Sequence, residues 1–248
     1  MANRNEIIQF INELLLPENF NDLCVNGLQV EGQLEINKIV IGVSVSERFI
    51  QKAIEAGANM IILHHGLLWK SDPHPLHITG ILYRRLRLLI ENGINLAGYH
   101  LPLDAHPEIG NNAQIIQRLG LQQLDAVDVG FVGEYTHPIP FDEFHKRVDE
   151  TLSTKSFVLP YGQPEVKRVL AISGGSSPAY KQALAVNADT FISGDIRENL
   201  VRNIEEVQLN YLNAGHYNTE RFGIQTLGQK IREKFTIPCE FIDIPNPV

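Results

Sequence analysis

Two adjacent histidines, His64 and His65, close the apolar run MIILHH at residues 60–65. Burying an imidazole without a partner costs on the order of 1–3 kcal/mol, so a pair at the end of such a run needs something that satisfies both. Three other residues have the right chemistry. Asp104 follows closely on Pro102, and His216 and Glu220 stand four apart, on one face if a helix begins there. Three imidazoles and two carboxylates form an N/O donor set without a thiolate, suited to Zn, Mn, Fe, Co or Ni. Neighbours in an extended chain point to opposite sides, so His64 and His65 are expected to fan towards two divalent ions rather than share one. Five protein ligands over two ions leave positions open for water, as a hydrolytic centre requires and a closed structural site does not. Two such ions against two carboxylates leave a local charge of about +2, which attracts a small anionic substrate such as a nucleotide or phosphate ester. His100 is read as a further ligand, a hydrogen-bonding neighbour of the ligands or a proton carrier, the last two favoured over direct ligation. His74, His77, His106, His137 and His145 are read as turn or surface residues.

The elements that must position these residues alternate along the chain. RNEIIQFINELLL has helical spacing and stops at Pro17, NKIVIGVSV reads as a strand, and SERFIQKAIEAGA is an amphipathic helix with Ser46 as N-cap. The run NMIILHH then completes a βαβ unit whose second strand ends in the two histidines. A longer helix, ITGILYRRLRLLIENG, leads to INLAGYHLPLDAH, read as a strand that turns at Pro102. Residues 110–165 read as helix, strand, helix, strand.

The pattern then restarts. KRVLAIS, SPAYKQALAVNA and DTFISGD repeat strand, helix, strand, matching Lys38 with Lys167, Val40 with Val169 and Ser44 with Ser173. After one inserted residue, Ala58 falls on Ala188, and His64 and His65 face Gly194 and Asp195. Further on, His100 falls on His216 and Asp104 on Glu220. The expected fold class is therefore α/β: two similar αβα lobes from an internal duplication, each with a parallel sheet, spanning about residues 1–125 and 126–248 and tightly packed or intertwined. Ligands of such sheets bind beyond the carboxyl ends of the strands, where the candidate residues lie. SGGSSP at 173–178 also sits in a strand-to-helix turn; its N–H groups suit a phosphate, but a tight turn is the plainer reading.

Composition bounds the partners. The 248 residues are 44% hydrophobic and 20% charged, which describes an ordinary globular protein. The apolar runs fall well short of the roughly 20 residues that cross a bilayer, and the N-terminus lacks a signal pattern, so no membrane partner and a cytoplasmic location are expected. The two cysteines, Cys24 and Cys239, speak against a disulfide framework or a cysteine-based zinc site. A net charge of −8 disfavours nucleic acid as a partner without excluding a local patch.

The ordered set LHHGLLW, YHLPLDAHPEIGNN, SGGSS, SGD, AGHYNTERFGI and FIDIPNP resembles the NGG-interacting-factor-three family, in particular its bacterial YbgI-type branch of GTP cyclohydrolase 1 type 2 homologues. The likeness runs from NGLQV to the C-terminus. It implies two αβα lobes with a di-metal site in the cleft between them, and a ring-shaped homohexamer. The family's metal ligands carry over onto His64, His65, Asp104, His216 and Glu220. Many relatives have proline where this chain has Gly66, a departure shared with the YbgI-type branch. The family name further implies metal-activated water opening the guanine imidazole ring, with GTP as the candidate substrate. Two other functions stand beside hydrolysis: a ring-shaped, metal-dependent binding or scaffold protein linked to DNA repair or transcription, and a metal store or sensor.

Overall fold

A computed structural model describes all residues, 1–248. Contacts divide the chain into two compact units, Met1–Leu103 with Ile224–Ile244, and Asp104–Gly223 with Pro245–Val248.

The first unit contains β1 (Ala2–Asn3), α1 (Arg4–Leu15), β2 (Gly27–Val30), β3 (Glu35–Ile36), β4 (Ile39–Ser44), α2 (Glu47–Glu55), β5 (Met60–His65), α3 (Gly80–Glu91) and β6 (Asn95–Gly98). Its central strands form because IVIGVS and MIILHH are almost wholly apolar, the pattern of strands covered on both faces. β4, β5 and β6 are parallel, in register from Ile39 opposite Met60 to Ser44 opposite His65. On one face Val40, Ile61 and Leu63 pack against Phe49, Ile50 and Ala53 of α2 and Leu89 of α3. Ser46 caps α2, its hydroxyl accepting from Phe49 N at 3.0 Å. Gly42 has no Cβ because one would collide with the Phe49 ring.

The second unit begins within α4 (Leu101–Ala105) and continues through α5 (Asn111–Arg118), β7 (Gln122–Val127), β8 (Gly130–Pro140), α6 (Phe141–Leu152), β9 (Phe157–Pro160), β10 (Glu165–Ala171), α7 (Tyr180–Ala185), β11 (Thr190–Ser193), α8 (Val201–Glu206), β12 (Asn210–Asn213) and α9 (His216–Thr219). Here alternate residues face two cores. Val169, Ala171, Ile192 and Leu212 join Phe144 and Val148 of α6, whereas Leu170, Phe191 and Tyr211 join Tyr180 and Ala183 of α7 and Ile204 of α8. Each fully buried aliphatic or aromatic side chain contributes about 1.5–3 kcal/mol. The chain then enters α10 (Arg221–Phe235), whose residues from Ile224 onward belong to the first unit with β13 (Cys239–Phe241).

Apart from the antiparallel pair β1-β3, the two larger sheets are mixed, which corrects the expectation of parallel ones. Their orders are β13-β4-β5-β6-β2 and β7-β8-β10-β11-β12-β9, with β2, β8 and β9 antiparallel to their neighbours. A second correction concerns Pro102. The strand ends at Gly98, and Pro102 stands in the first turn of α4, where its missing N–H is not needed, so Asp104 lies on a short helix.

Candidate metal centre

In the first unit the carboxyl end of β5 carries the imidazole cluster. His64 is fully buried, and its Nδ1 donates to the Tyr99 carbonyl at 3.0 Å. Because a carbonyl only accepts, this fixes the tautomer and makes Nε2 the atom available for ligation. His65 Nδ1 lies 2.9 Å from Ser44 Oγ, at the paired end of β4. His100 Nδ1 donates to Asp22 Oδ1 at 2.8 Å. All three rings are thus tied back through the same nitrogen. The ring centroids of His64 and His65 are 4.7 Å apart, and those of His64 and His100 are 5.1 Å apart. Ligand atoms of His64, His65 and His100 lie within 4.8 Å of one another, so these residues could hold a single ion. The expected fanning of His64 and His65 towards separate ions is therefore not forced.

Trp69, the only tryptophan, meets the His100 ring edge-on at 5.2 Å and 72°. Its indole N–H donates to Gly66 O at 3.2 Å. Gly66 is small for a reason: a Cβ there would lie 2.5 Å from the Gln29 amide, whose Oε1 accepts from Leu67 N and Leu68 N.

The second unit carries the carboxylates. Asp104 and Glu220 are 4% and 2% exposed, and their ligating oxygens lie within 4.8 Å. Two buried carboxylates so close repel unless a cation or a proton stands with them. Asp104 Oδ1 accepts from Ser173 Oγ at 3.0 Å and Asn111 Nδ2 at 2.8 Å. Asn111 is in turn held by Gly223 N, which donates to its Oδ1 at 2.7 Å. His216 opens α9, and its Nε2 stands 3.2 Å from Glu220 Oε2, so the four-residue spacing does share one face. Gly215 precedes it at φ +87°, a conformation that suits glycine.

SGGSS adopts the plainer of its two readings. Ser173 N donates to Asn112 Oδ1, Gly174 N to Thr219 Oγ1, Ser176 N to Gly174 O and Ser177 N to Asp195 Oδ1. These four N–H groups are committed within the unit and do not cradle a phosphate. Gly174 serves close approach instead, since a Cβ would collide with Glu220 Oε1. His74, His77 and His137 are exposed, His106 accepts from Glu108 N and Ile109 N in a turn, and His145 pairs with Asp149 at 3.4 Å. Sequence reasoning missed Asp22, Ser44, Asn111 and the Ser173 hydroxyl. Only Asp22, four residues before Asn26 in a polar turn, had any local signal.

The donor set of imidazole nitrogens and carboxylate oxygens fits borderline divalent ions, and these histidine and acidic clusters could bind metal ions. A mixed α/β protein with such clusters defines a broad class of candidate metalloproteins. Comparison narrows it: residues 2–247 match the model of Duf34/NIF3 (NGG1p interacting factor 3), and the chain belongs to that family. It is 38% identical to the GTP cyclohydrolase 1 type 2 homolog of Vibrio cholerae serotype O1, over 99% of this chain and all of that protein. The solved structure of protein ybgI, described as of unknown function, superposes with a TM-score of 0.95 at 38% identity and full coverage of both chains. TTHA1606 from Thermus thermophilus gives 0.92 at 32% identity, again over both chains in full.

Proposed function

We propose that the protein is a di-metal hydrolase in which His64, His65, Asp104, His216 and Glu220 hold two divalent ions. Its substrate is a nucleotide or other phosphorylated small molecule. GTP is the named candidate, on the strength of the relatives' names. The observation that carries this reading is the buried carboxylate pair Asp104 and Glu220, which a cation would relieve. The imidazole cluster, tied back through Nδ1, adds nitrogen donors of the matching kind.

When bound, divalent ions lower the pKa of water towards neutrality and make a nucleophile available. The chain's own groups do the rest. Tyr99 O and Ser44 Oγ orient the His64 and His65 rings, Ser173 and Asn111 hold the Asp104 carboxylate, and His100 keeps a proton on Nδ1 against Asp22.

The test incubates the full chain, loaded with Zn²⁺, Mn²⁺ or Co²⁺, with GTP, other nucleotides and phosphoesters. Turnover is expected to require metal and to fall at least about 100-fold in His64→Ala and Glu220→Ala while far-UV circular dichroism is preserved. No turnover of any panel member overturns the hydrolase reading.

We further infer that the lobes arose by duplication, since both units carry three parallel strands joined through helices, β4-β5-β6 and β10-β11-β12. A homo-oligomer, on the family's hexameric pattern, is supported by Leu76, Ile78, Ile81, Tyr83 and Ile90, which expose apolar surface between residues 76 and 90. No helix is long and apolar enough to cross a membrane. Two free cysteines favour the reducing cytoplasm as the site of action.

A further inference from the structure

Asp22 is 2% exposed, yet it has no role in the five-ligand set. Its carboxylate accepts four hydrogen bonds: Oδ1 from Cys24 N at 3.0 Å and His100 Nδ1 at 2.8 Å, and Oδ2 from Asn26 Nδ2 at 3.0 Å and Leu101 N at 2.9 Å. Asn26 braces the same imidazole from its backbone side, its Oδ1 accepting from His100 N at 2.8 Å. Backbone N–H groups and the Asn26 amide N–H can only donate, and with His100 they occupy both oxygens, so the carboxylate acts as acceptor alone and His100 must carry its proton on Nδ1. The other ring nitrogen, Nε2, is left as the donor atom His100 can offer. The ring stands 5.1 Å from that of His64 and 5.5 Å from that of His65.

The geometry points to Asp22 as a positioning residue that, through His100, supplies a third imidazole ligand beside His64 and His65. This rests on the metal-binding reading above and selects, for His100, ligation over the neighbour or proton-carrier role that the sequence favoured. A surface histidine would require no such frame. Here four donors are gathered on one carboxylate, and three imidazoles from β5 and the loop after β6 each engage a scaffold oxygen through Nδ1. Carboxylate–histidine–metal relays of this form orient the ring and raise its basicity, and losing the outer partner typically costs 10–100-fold in affinity.

The experiment titrates Co²⁺ into the full chain by competition with a chromophoric chelator and counts imidazoles around bound Zn²⁺ by X-ray absorption. His100→Ala is expected to weaken Co²⁺ binding at least tenfold and to remove one imidazole from the total. Asp22→Asn is expected to weaken it about 10-fold or more on its own and to have no further effect in the His100→Ala background, because it acts through that ring. A merely structural role would weaken binding equally in both backgrounds. If Asp22→Asn fails to fold, Asn26→Ala takes its place in both backgrounds, since it removes a donor to Asp22 Oδ2 and the acceptor of His100 N. Unchanged Co²⁺ affinity and imidazole count in His100→Ala overturns the inference. His64→Ala separates the two failures: if it too binds Co²⁺ normally, the metal-binding reading itself falls.

Discussion

The carboxyl ends of β5 and β11 make an instructive pair. Each strand lies in the middle of three parallel ones, β5 between β4 and β6 and β11 between β10 and β12. β5 ends in His64 and His65, nitrogen bases whose Nδ1 atoms meet Tyr99 O and Ser44 Oγ. β11 ends in Ser193, followed by Gly194 and Asp195, and here the polar groups satisfy one another. Asp195 accepts from Ser177 N at 2.8 Å and Ser177 Oγ at 3.0 Å, Ser193 Oγ meets Ser176 Oγ at 2.7 Å, and Tyr211 OH donates to the Asp195 carbonyl at 2.6 Å. One strand end gathers imidazole nitrogens that could hold a metal ion, and the other pairs its polar groups with one another. Similar backbone architecture thus carries a candidate binding end and a stabilising end, set apart by the side chains at and just after the last strand residue.

The sharpest way to break this contrast is to add a methyl group at each end. Gly194→Ala would put its Cβ 2.7 Å from Gly174 O and 2.8 Å from His216 Cα, both backbone atoms that cannot swing away. We expect a loss of about 3 kcal/mol, near the upper end of overpacking costs, or a fall in Tm of roughly 6–12 °C at this chain length. Gly66→Ala meets the Gln29 amide, a side-chain end that can shift at the expense of its hydrogen bonds to Leu67 N and Leu68 N, and should cost less, about 1–2 kcal/mol. Thermal melts that show equal losses would remove the distinction. Next in size, Asp195→Ala should destabilise by about 2 kcal/mol through its lost hydrogen bonds while Co²⁺ affinity stays within about twofold. A marked drop in affinity would make the closed end part of the binding machinery.

The smallest effect concerns pH. Burial pushes the Cys24 thiol up to about 11 and Cys239 up to about 12. The folded state therefore favours the protonated thiols, and their contribution to stability is complete below the ordinary thiol value of about 9 and is lost as pH rises towards 11–12. At pH 8 both should resist iodoacetamide in the native protein and react promptly in denaturant. Rapid native labelling of Cys24, which lies two residues from Asp22, would show that the first unit opens readily.

Much of this was readable in the chain because the signals are local. A buried parallel strand needs a continuous apolar run, and MIILHH carries one up to His64; a shared helix face needs a spacing of four, and His216 and Glu220 have it. What escaped was nonlocal or double-edged. Asp22 lies 78 residues from His100, and Ser173 lies 69 from Asp104, so nothing in either neighbourhood announces the hydrogen bond. Pro102 reads as a strand breaker but equally suits a helix's first turn, which hid α4. The antiparallel β2 and β9 are four residues each and pair with strands far along the chain, and the hairpin of β7 with β8 falls where the sequence reads a single strand, which together hid the mixed character of the two larger sheets.

The edge-on contact between Trp69 and His100 has a practical consequence. Because the chain holds a single indole, its ultraviolet emission comes from one address, beside the three imidazoles. A paramagnetic cation such as Cu²⁺ or Ni²⁺ settling there would dim that light at close range, which turns the unlabelled protein into its own optical gauge of occupancy.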